Sequence, residues 1–123
     1  MRNQIASIRP AILTIKKKKL SGEKELFQNQ TLRPILKFQN DLILSIFLFH
    51  FEKHKTEFYQ FTEAKRNEFI EQKIQLDRNL RFLLLGTIIG HFTDLEWQMY
   101  IPNEKEMNRR ITRLLIQRLQ DQL

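Results

Sequence analysis

Glycine and proline are scarce in this chain, and their scarcity limits the folds that it can adopt. The 123 residues include three glycines, three prolines and no cysteine, so few positions favour tight turns and no disulfide can hold a small fold together. Valine is absent, and the apolar residues are mainly 18 leucines, 14 isoleucines and ten phenylalanines, a mixture that favours helices over strands. No strand-like alternation or hairpin motif is present. The sequence therefore predicts an all-α fold, a single bundle of four or five helices.

Capping residues divide the chain into these helices. The predicted starts are Gly22 after Ser21, then Thr62, Asp77, Thr93 with Glu96 as a capping box, and Asn103. The first helix is predicted to run to about Lys55, with Pro34 producing a kink or a restart because proline removes a backbone donor. Pro102 is predicted to end the short fourth helix.

Residues 42–51 are apolar on every side rather than along one stripe. Such a helix is either central or lies at a subunit interface. It is too short to span a membrane, since ten helical residues reach about 15 Å of a hydrocarbon core about 30 Å thick. We therefore predict a homodimer that buries part of the surface of Phe47, Phe49 and Phe51. A monomer whose other helices wrap this one is the alternative.

The positive charge is concentrated at the N-terminus. The chain has 21 basic and 14 acidic residues, and six of the basic residues but none of the acidic ones lie in residues 1–20. We therefore predict a basic tail at 1–20 and a nearly neutral helical domain at 21–123. Lys16, Lys17, Lys18 and Lys19 are candidates for contact with a polyanion. The alternatives are a solvated, extended terminus or a segment that docks on a partner subunit.

The tail does not have the pattern of a secretory signal. Its apolar residues precede the lysines, and no small-residue cleavage site follows them. We therefore expect a cytoplasmic protein.

Three side chains that can bind metals fall close together. His50 and His54 are four residues apart, and Glu57 lies one turn further on. The metalloprotease pattern H-E-x-x-H is missing, because Phe51 stands where its glutamate would be. The three residues are therefore candidate metal ligands. The alternative is that His50 is a hydrogen-bonded residue of the core.

A polar strip precedes the apolar run. Arg33, Lys37 and Asp41 follow at intervals of four, which suits ion pairs along a solvated helix face. A more specific hypothesis is that Asp41 is partly buried and paired with an arginine such as Arg81, and that Arg33, Asp41 and Arg81 form a polar network that fixes helix register.

Two glycines four residues apart, Gly86 and Gly90, form a small-x-x-x-small pair. This spacing is typical of closely packed helices. Alternatively, Gly90 ends a helix and exposes His91 at a turn.

The C-terminal region has the outline of a helix-turn-helix. A short helix from Thr93 to Tyr100 is followed by a break at Pro102 and by a last helix that carries several arginines. Nucleic-acid binding through the basic tail and this last helix is therefore an alternative function.

Four strings in the chain resemble those of a group of small bacterial proteins. They are Phe27–Pro34 (FQNQTLRP), Gln39–Leu42 (QNDL), Gly90–Thr93 (GHFT) and Arg118–Gln120 (RLQ). The group is all-helical and of unknown function, and its members are often catalogued as glyoxalase or glyoxalase-like. The resemblance covers about residues 22–123 and implies a metal-dependent lyase as a further alternative, although it gives no residue a chemical role.

We predict from these features a non-catalytic helical protein that acts by self-association or by protein interaction. No catalytic residue and no cofactor are predicted.

Overall fold

The computed structural model of the chain describes residues 2–9 and 22–123. All regular structure in these residues is helical, with no strand among them, which confirms the all-α prediction. The α-helices are α1 (Glu23–Phe27), α2 (Arg33–Phe38), α3 (Asn40–His50), α4 (Lys55–Gln60), α5 (Glu63–Leu76), α6 (Arg78–Ile89), α7 (Asp94–Tyr100) and α8 (Glu104–Gln122). Shorter 3-10 turns lie at Arg2–Ile8, Glu52–His54 and Ile101–Asn103, and a π turn lies at Gln28–Leu32. The predicted count of four or five helices is not confirmed.

The first predicted helix is divided into several pieces. A π turn, Gln28–Leu32, joins α1 to α2 just before Pro34, where the missing proline N–H interrupts the regular hydrogen-bond ladder. Two further breaks, at Gln39 and Phe51, have neither glycine nor proline to cause them. Gln39 leaves helical geometry with φ −89° and ψ 5°, and its side chain donates to the Thr87 carbonyl oxygen at 3.0 Å.

The predicted starts of the middle helices are confirmed. The Thr62 hydroxyl accepts from the Lys65 amide at 3.3 Å, and the Asp77 carboxylate accepts from the Leu80 amide at 3.0 Å. Thr93 and Glu96 form the complete capping box at the start of α7. Asn103 precedes α8 as predicted, but its side chain makes no capping bond.

The core is built around α8 rather than around α3. Helix α8 packs against both α5 and α6 and buries Met107, Ile111, Leu114, Leu115, Ile116 and Leu119. Helix α3 lies beside α6 and buries only Ile43 and Phe47. The apolar run is therefore peripheral, and part of its surface faces outward. Among the described residues, no helix combines the length and apolar character needed to cross a membrane.

Candidate functional site

The three phenylalanines of the predicted interface have different surroundings. Phe47 and Phe51 are fully buried inside the protomer, whereas the Phe49 side chain is 72% exposed. Phe51 follows the last residue of α3 and has φ −120° and ψ 17°. This break in the helix turns its ring toward Phe58, at a centroid distance of 4.9 Å. The prediction that Phe47 and Phe51 contribute surface to a partner is therefore wrong for this protomer, because the aromatic core already covers both rings, and only Phe49 remains available.

Exposed and half-buried apolar side chains lie along the outer side of α3 and on the neighbouring flank of α6. Leu42, Ile46 and Phe49 follow at intervals of four and three, so they share one side of α3. The bond from Gln39 to the Thr87 carbonyl places α6 next to that side, and helical spacing puts the exposed Leu83 and Gly86 on the neighbouring flank of α6. We call Leu42, Ile46, Phe49, Leu83 and Gly86 the α3–α6 face.

The two glycines of α6 have different roles. A side chain at Gly86 would meet nothing within 4 Å, whereas a Cβ at Gly90 would lie 2.9 Å from the Gly86 carbonyl oxygen. No neighbouring helix packs closely against Gly86 within the protomer. This differs from the prediction that Gly86 and Gly90 form a small-x-x-x-small pair for close helix packing. Gly90 ends α6, but the His91 that follows it is buried rather than exposed.

His91 belongs to a buried polar cluster that also contains Arg9 and Glu96. The side chains of Arg9 and Glu96 are 7% and 14% exposed, and their closest N–O distance is 2.6 Å. Both terminal nitrogens of Arg9 donate to the Glu96 carboxylate at 2.6 Å, which is the strong two-point pairing of a guanidinium with a carboxylate. This cluster docks the N-terminal arm, residues 2–9, on the start of α7.

Arg9 also fixes the protonation state of His91. Its Nε donates to Nδ1 of His91 at 3.2 Å, and a terminal nitrogen donates to the His91 carbonyl oxygen. Nδ1 must therefore carry a lone pair rather than a proton. Burial and the nearby Arg9 charge both lower the pKa of His91, in agreement with this neutral form.

Glu96 is ionised in the cluster. Burial alone would raise the pKa of its carboxyl, but hydrogen bonds from Arg9 and from the Thr93 backbone outweigh that effect and lower it. The carboxylate thus serves both the capping box of α7 and the arm.

The predicted metal ligands do not form a site. His54 Nδ1 lies 4.0 Å from Glu57 Oε2, and both side chains are largely exposed. His50 is only half-buried, on the last turn of α3. Within residues 2–9 and 22–123, no group of three histidine, aspartate or glutamate side chains is arranged to hold a metal ion.

The predicted polar network of Arg33, Asp41 and Arg81 is not formed within the protomer. Arg33 Nε donates to Asn29 at 3.0 Å, Asp41 is exposed, and Arg81 donates to the Gln75 carbonyl oxygen at 2.5 Å. No ion pair or hydrogen bond between these three side chains is present in the described part of the chain.

A different polar network, involving Asn40 and Arg118, links the start of α3 to the end of α8. Arg118 donates to the Asn40 side chain at 3.3 Å, and Gln122 donates to the same oxygen at 2.7 Å. Sequence reasoning did not find this network, because no local pattern relates residues about 80 positions apart.

Lys16, Lys17, Lys18 and Lys19 lie outside the described residues, so the predicted polyanion contact stays a prediction.

Neither a protein-family model, nor a curated protein, nor a solved structure matches the chain. The resemblance to glyoxalase-like helical proteins therefore stays a prediction.

Proposed function

We propose that the protein acts by self-association, as a homodimer formed through the α3–α6 face. The observation that carries this proposal is the position of Phe49, a large apolar side chain that is 72% exposed in a row of apolar neighbours. A single exposed leucine needs no explanation, but a continuous apolar surface typically marks a contact.

The chemistry of the face favours a second copy of the chain as the partner. Residues 42–51 contain no aspartate, glutamate, lysine or arginine. A two-fold axis brings the same patch of both subunits together, so any charge near the axis would face its own copy. An uncharged face avoids that repulsion, whereas a different protein would be better selected by complementary charges.

The size of the face limits the strength of the dimer. Complete burial of a leucine or phenylalanine side chain contributes about 1.5–3 kcal/mol, and Leu42, Phe49 and Leu83 are each already partly covered. Two copies would together gain roughly 6–10 kcal/mol from these three positions, against an association cost of about 4–15 kcal/mol. At the most favourable end the net gain is about 6 kcal/mol, so we expect a dimer that is populated only at tens of micromolar or above.

Static light scattering over a concentration series tests the proposal. The mass is expected to rise from about 15.0 kDa toward twice that value, and Phe49→Glu is expected to weaken association about tenfold or more, because a carboxylate would be desolvated on each side of the axis. Leu76→Glu is the matched control, since Leu76 is 83% exposed and lies at the end of α5, outside the face. A monomer at every concentration, or equal weakening by both variants, would contradict the proposal.

Gly86 provides an independent test of the same surface. Because a methyl group there meets open space, Gly86→Ala is expected to stabilise the protomer by about 0.5–1 kcal/mol through helix propensity. Gly86→Trp should leave the protomer folded but prevent the close approach of a second copy. Thermal melting together with light scattering checks both effects, and loss of folding in Gly86→Ala would show that the glycine serves the protomer instead.

A further inference from the structure

A second surface, on the other flank of α6, has a different character. α5, α6 and α8 border a groove of about 710 Å³, whose lining includes Glu71, Arg81, Phe82, Arg109, Arg113 and Gln117. We call it the arginine groove. Its volume falls within the range of about 300–1,000 Å³ that is usual for ligand sites.

The charge of the arginine groove is strongly positive. Among the residues that the structure describes, three arginines line it and Glu71 is the only acidic one. Within the described part of the chain, Arg109 and Arg113 form no ion pair with an acidic residue. They lie four residues apart on α8, so their guanidinium groups follow one another along the groove. Two such groups favour an anionic ligand that offers more than one phosphate.

Arg81 is held in place by the end of α5. It donates to the Ile74 and Gln75 carbonyl oxygens at 3.4 and 2.5 Å, which are backbone groups left free where that helix ends. Both acceptors are neutral carbonyl groups, so neither offsets the positive charge of the guanidinium. This charge therefore contributes to that of the groove.

The groove also offers an aromatic surface. The Phe82 side chain is 49% exposed, and the guanidinium carbons of Arg78 and Arg81 lie 5.1 and 5.6 Å from its ring centroid. Nucleobases stack on exposed aromatic rings and on guanidinium planes. Amide side chains nearby, among them Gln117, can both donate to and accept from base edges.

A duplex fits this surface poorly. A recognition helix must project into a major groove about 12 Å wide, whereas α8 has α5 and α6 packed against it and supplies six buried residues to the core. Only a narrow side of α8 reaches solvent, so the helix cannot act as the reading helix of a helix-turn-helix.

We propose that the arginine groove binds single-stranded nucleic acid, with phosphates on Arg109 and Arg113 and a base stacked on Phe82. The groove provides the two components that single-strand sites combine, a cationic track and an aromatic platform. It shares no residue with the α3–α6 face, so this proposal does not depend on the proposed dimer.

Fluorescence anisotropy with a labelled oligo-dT 12-mer tests the proposal on the full chain. The logarithm of the affinity is expected to fall linearly with the logarithm of the salt concentration, and Arg109→Gln with Arg113→Gln should reduce the slope by about 1.4, or about 0.7 for each phosphate that is no longer neutralised. Phe82→Ala is expected to weaken binding about 5- to 100-fold because the base can no longer stack. Circular dichroism verifies that each variant is folded.

Matched controls distinguish this site from general attraction to a basic chain. Lys53→Gln with Lys55→Gln removes the same charge from exposed positions that do not line the groove. This change should alter the affinity by less than about twofold at moderate salt, because salt screens exposed charges that do not contact the ligand. A duplex 12-mer and free dTMP should bind more weakly than the single strand. The proposal is overturned if the 12-mer does not bind saturably, if the two double variants behave alike, if the duplex or dTMP binds as tightly, or if only replacement of Lys16–Lys19 by glutamine abolishes binding.

Discussion

Replacement of Phe51 by alanine is expected to lower the free energy of unfolding by about 3–5 kcal/mol. The ring is 1% exposed, and its centroid lies 5.1 Å from that of Phe47, 4.9 Å from Phe58 and 5.8 Å from Phe69. Truncation to alanine removes the ring, and with it the apolar contacts to these three neighbouring rings. It also leaves a cavity that the surrounding helices cannot fill completely.

Urea denaturation measured by circular dichroism gives this loss directly. Phe49→Ala is the matched control, because the same truncation two residues away removes a ring that is 72% exposed. At protein concentrations where the chain is monomeric, its cost should stay within about 0.5 kcal/mol. Equal costs for the two variants would mean that Phe51 is not a core residue.

Replacement of Glu96 by glutamine is expected to release the N-terminal arm. An arginine that stays buried after losing its partner charge costs about 3–5 kcal/mol. The polar contacts of the arm that do not involve Arg9, from Arg2 to the Gly90 carbonyl and from the Asp94 amide to Asn3, contribute only about 0.5–1.5 kcal/mol each. The bonds from Arg9 to His91 go to neutral acceptors, so they do not replace the lost partner charge. The cost exceeds these contributions, so the arm should detach rather than hold an unpaired guanidinium.

Glutamine at position 96 keeps an oxygen that can accept from the Thr93 amide, so α7 retains that part of its cap. Hydrogen–deuterium exchange at pH 7 should show residues 2–8 exchanging as a free peptide in Glu96→Gln, while the core helices stay protected. Protection of the arm equal to that of the parent protein would show that the ion pair is not what holds it.

The same cluster makes docking of the arm dependent on pH. His91 is neutral in the docked state, and its pKa is lowered from a usual 6.5. The released state therefore binds a proton that the docked state excludes, and docking weakens as pH falls below about 6.5. The pKa of Glu96 is lowered from 4.5, so its contribution is present above that value and is lost as pH falls through the lowered pKa.

Exchange measured from pH 7 to pH 4.5, corrected for intrinsic rates, follows the effect of His91, because the effect of Glu96 begins only below this range. His91→Gln keeps an acceptor for Arg9 without a titrating ring, so this variant should lose the change that begins near pH 6.5. An unaltered pH profile in His91→Gln would assign the dependence to another group.

Short-range chemistry explains which parts of the fold the sequence could predict. The caps at Thr62, Asp77 and Thr93 depend on side chains that bond to amides three residues away, so the local sequence contains the whole signal. The breaks at Gln39 and Phe51 depend on distant partners. Nothing adjacent to either residue shows that one will bond to α6 and the other will enter an aromatic core.

The spacing of the three phenylalanines in the apolar run indicates which of them share a helix face, although the run as a whole is apolar. Phe47 and Phe51 are four residues apart and fall on one side of a helix, whereas Phe49 falls on the other. That periodicity separates one exposed ring from two buried ones even within a run that is apolar throughout. It could therefore have shown that the three residues do not act together.

The buried ion pair could not have been predicted in the same way. Arg9 and Glu96 are 87 positions apart, and by composition Arg9 is one of six cations in a basic tail. The arginine groove had a partial signal, because helical spacing places Arg109 and Arg113 on the outward side of the last helix. Its aromatic part, Phe82, depends on how α6 packs beside α8, which no local pattern specifies.

The position of α8 in the middle of the bundle has a consequence for synthesis of the chain. Helices α5 and α6 emerge from the ribosome before the helix that covers them, and until Met107–Leu119 follow, their buried sides have no permanent partner. The hydrophobic core can therefore close only after translation has passed α8. A nascent chain that stalls earlier exposes the surfaces on which chaperones and aggregation both act.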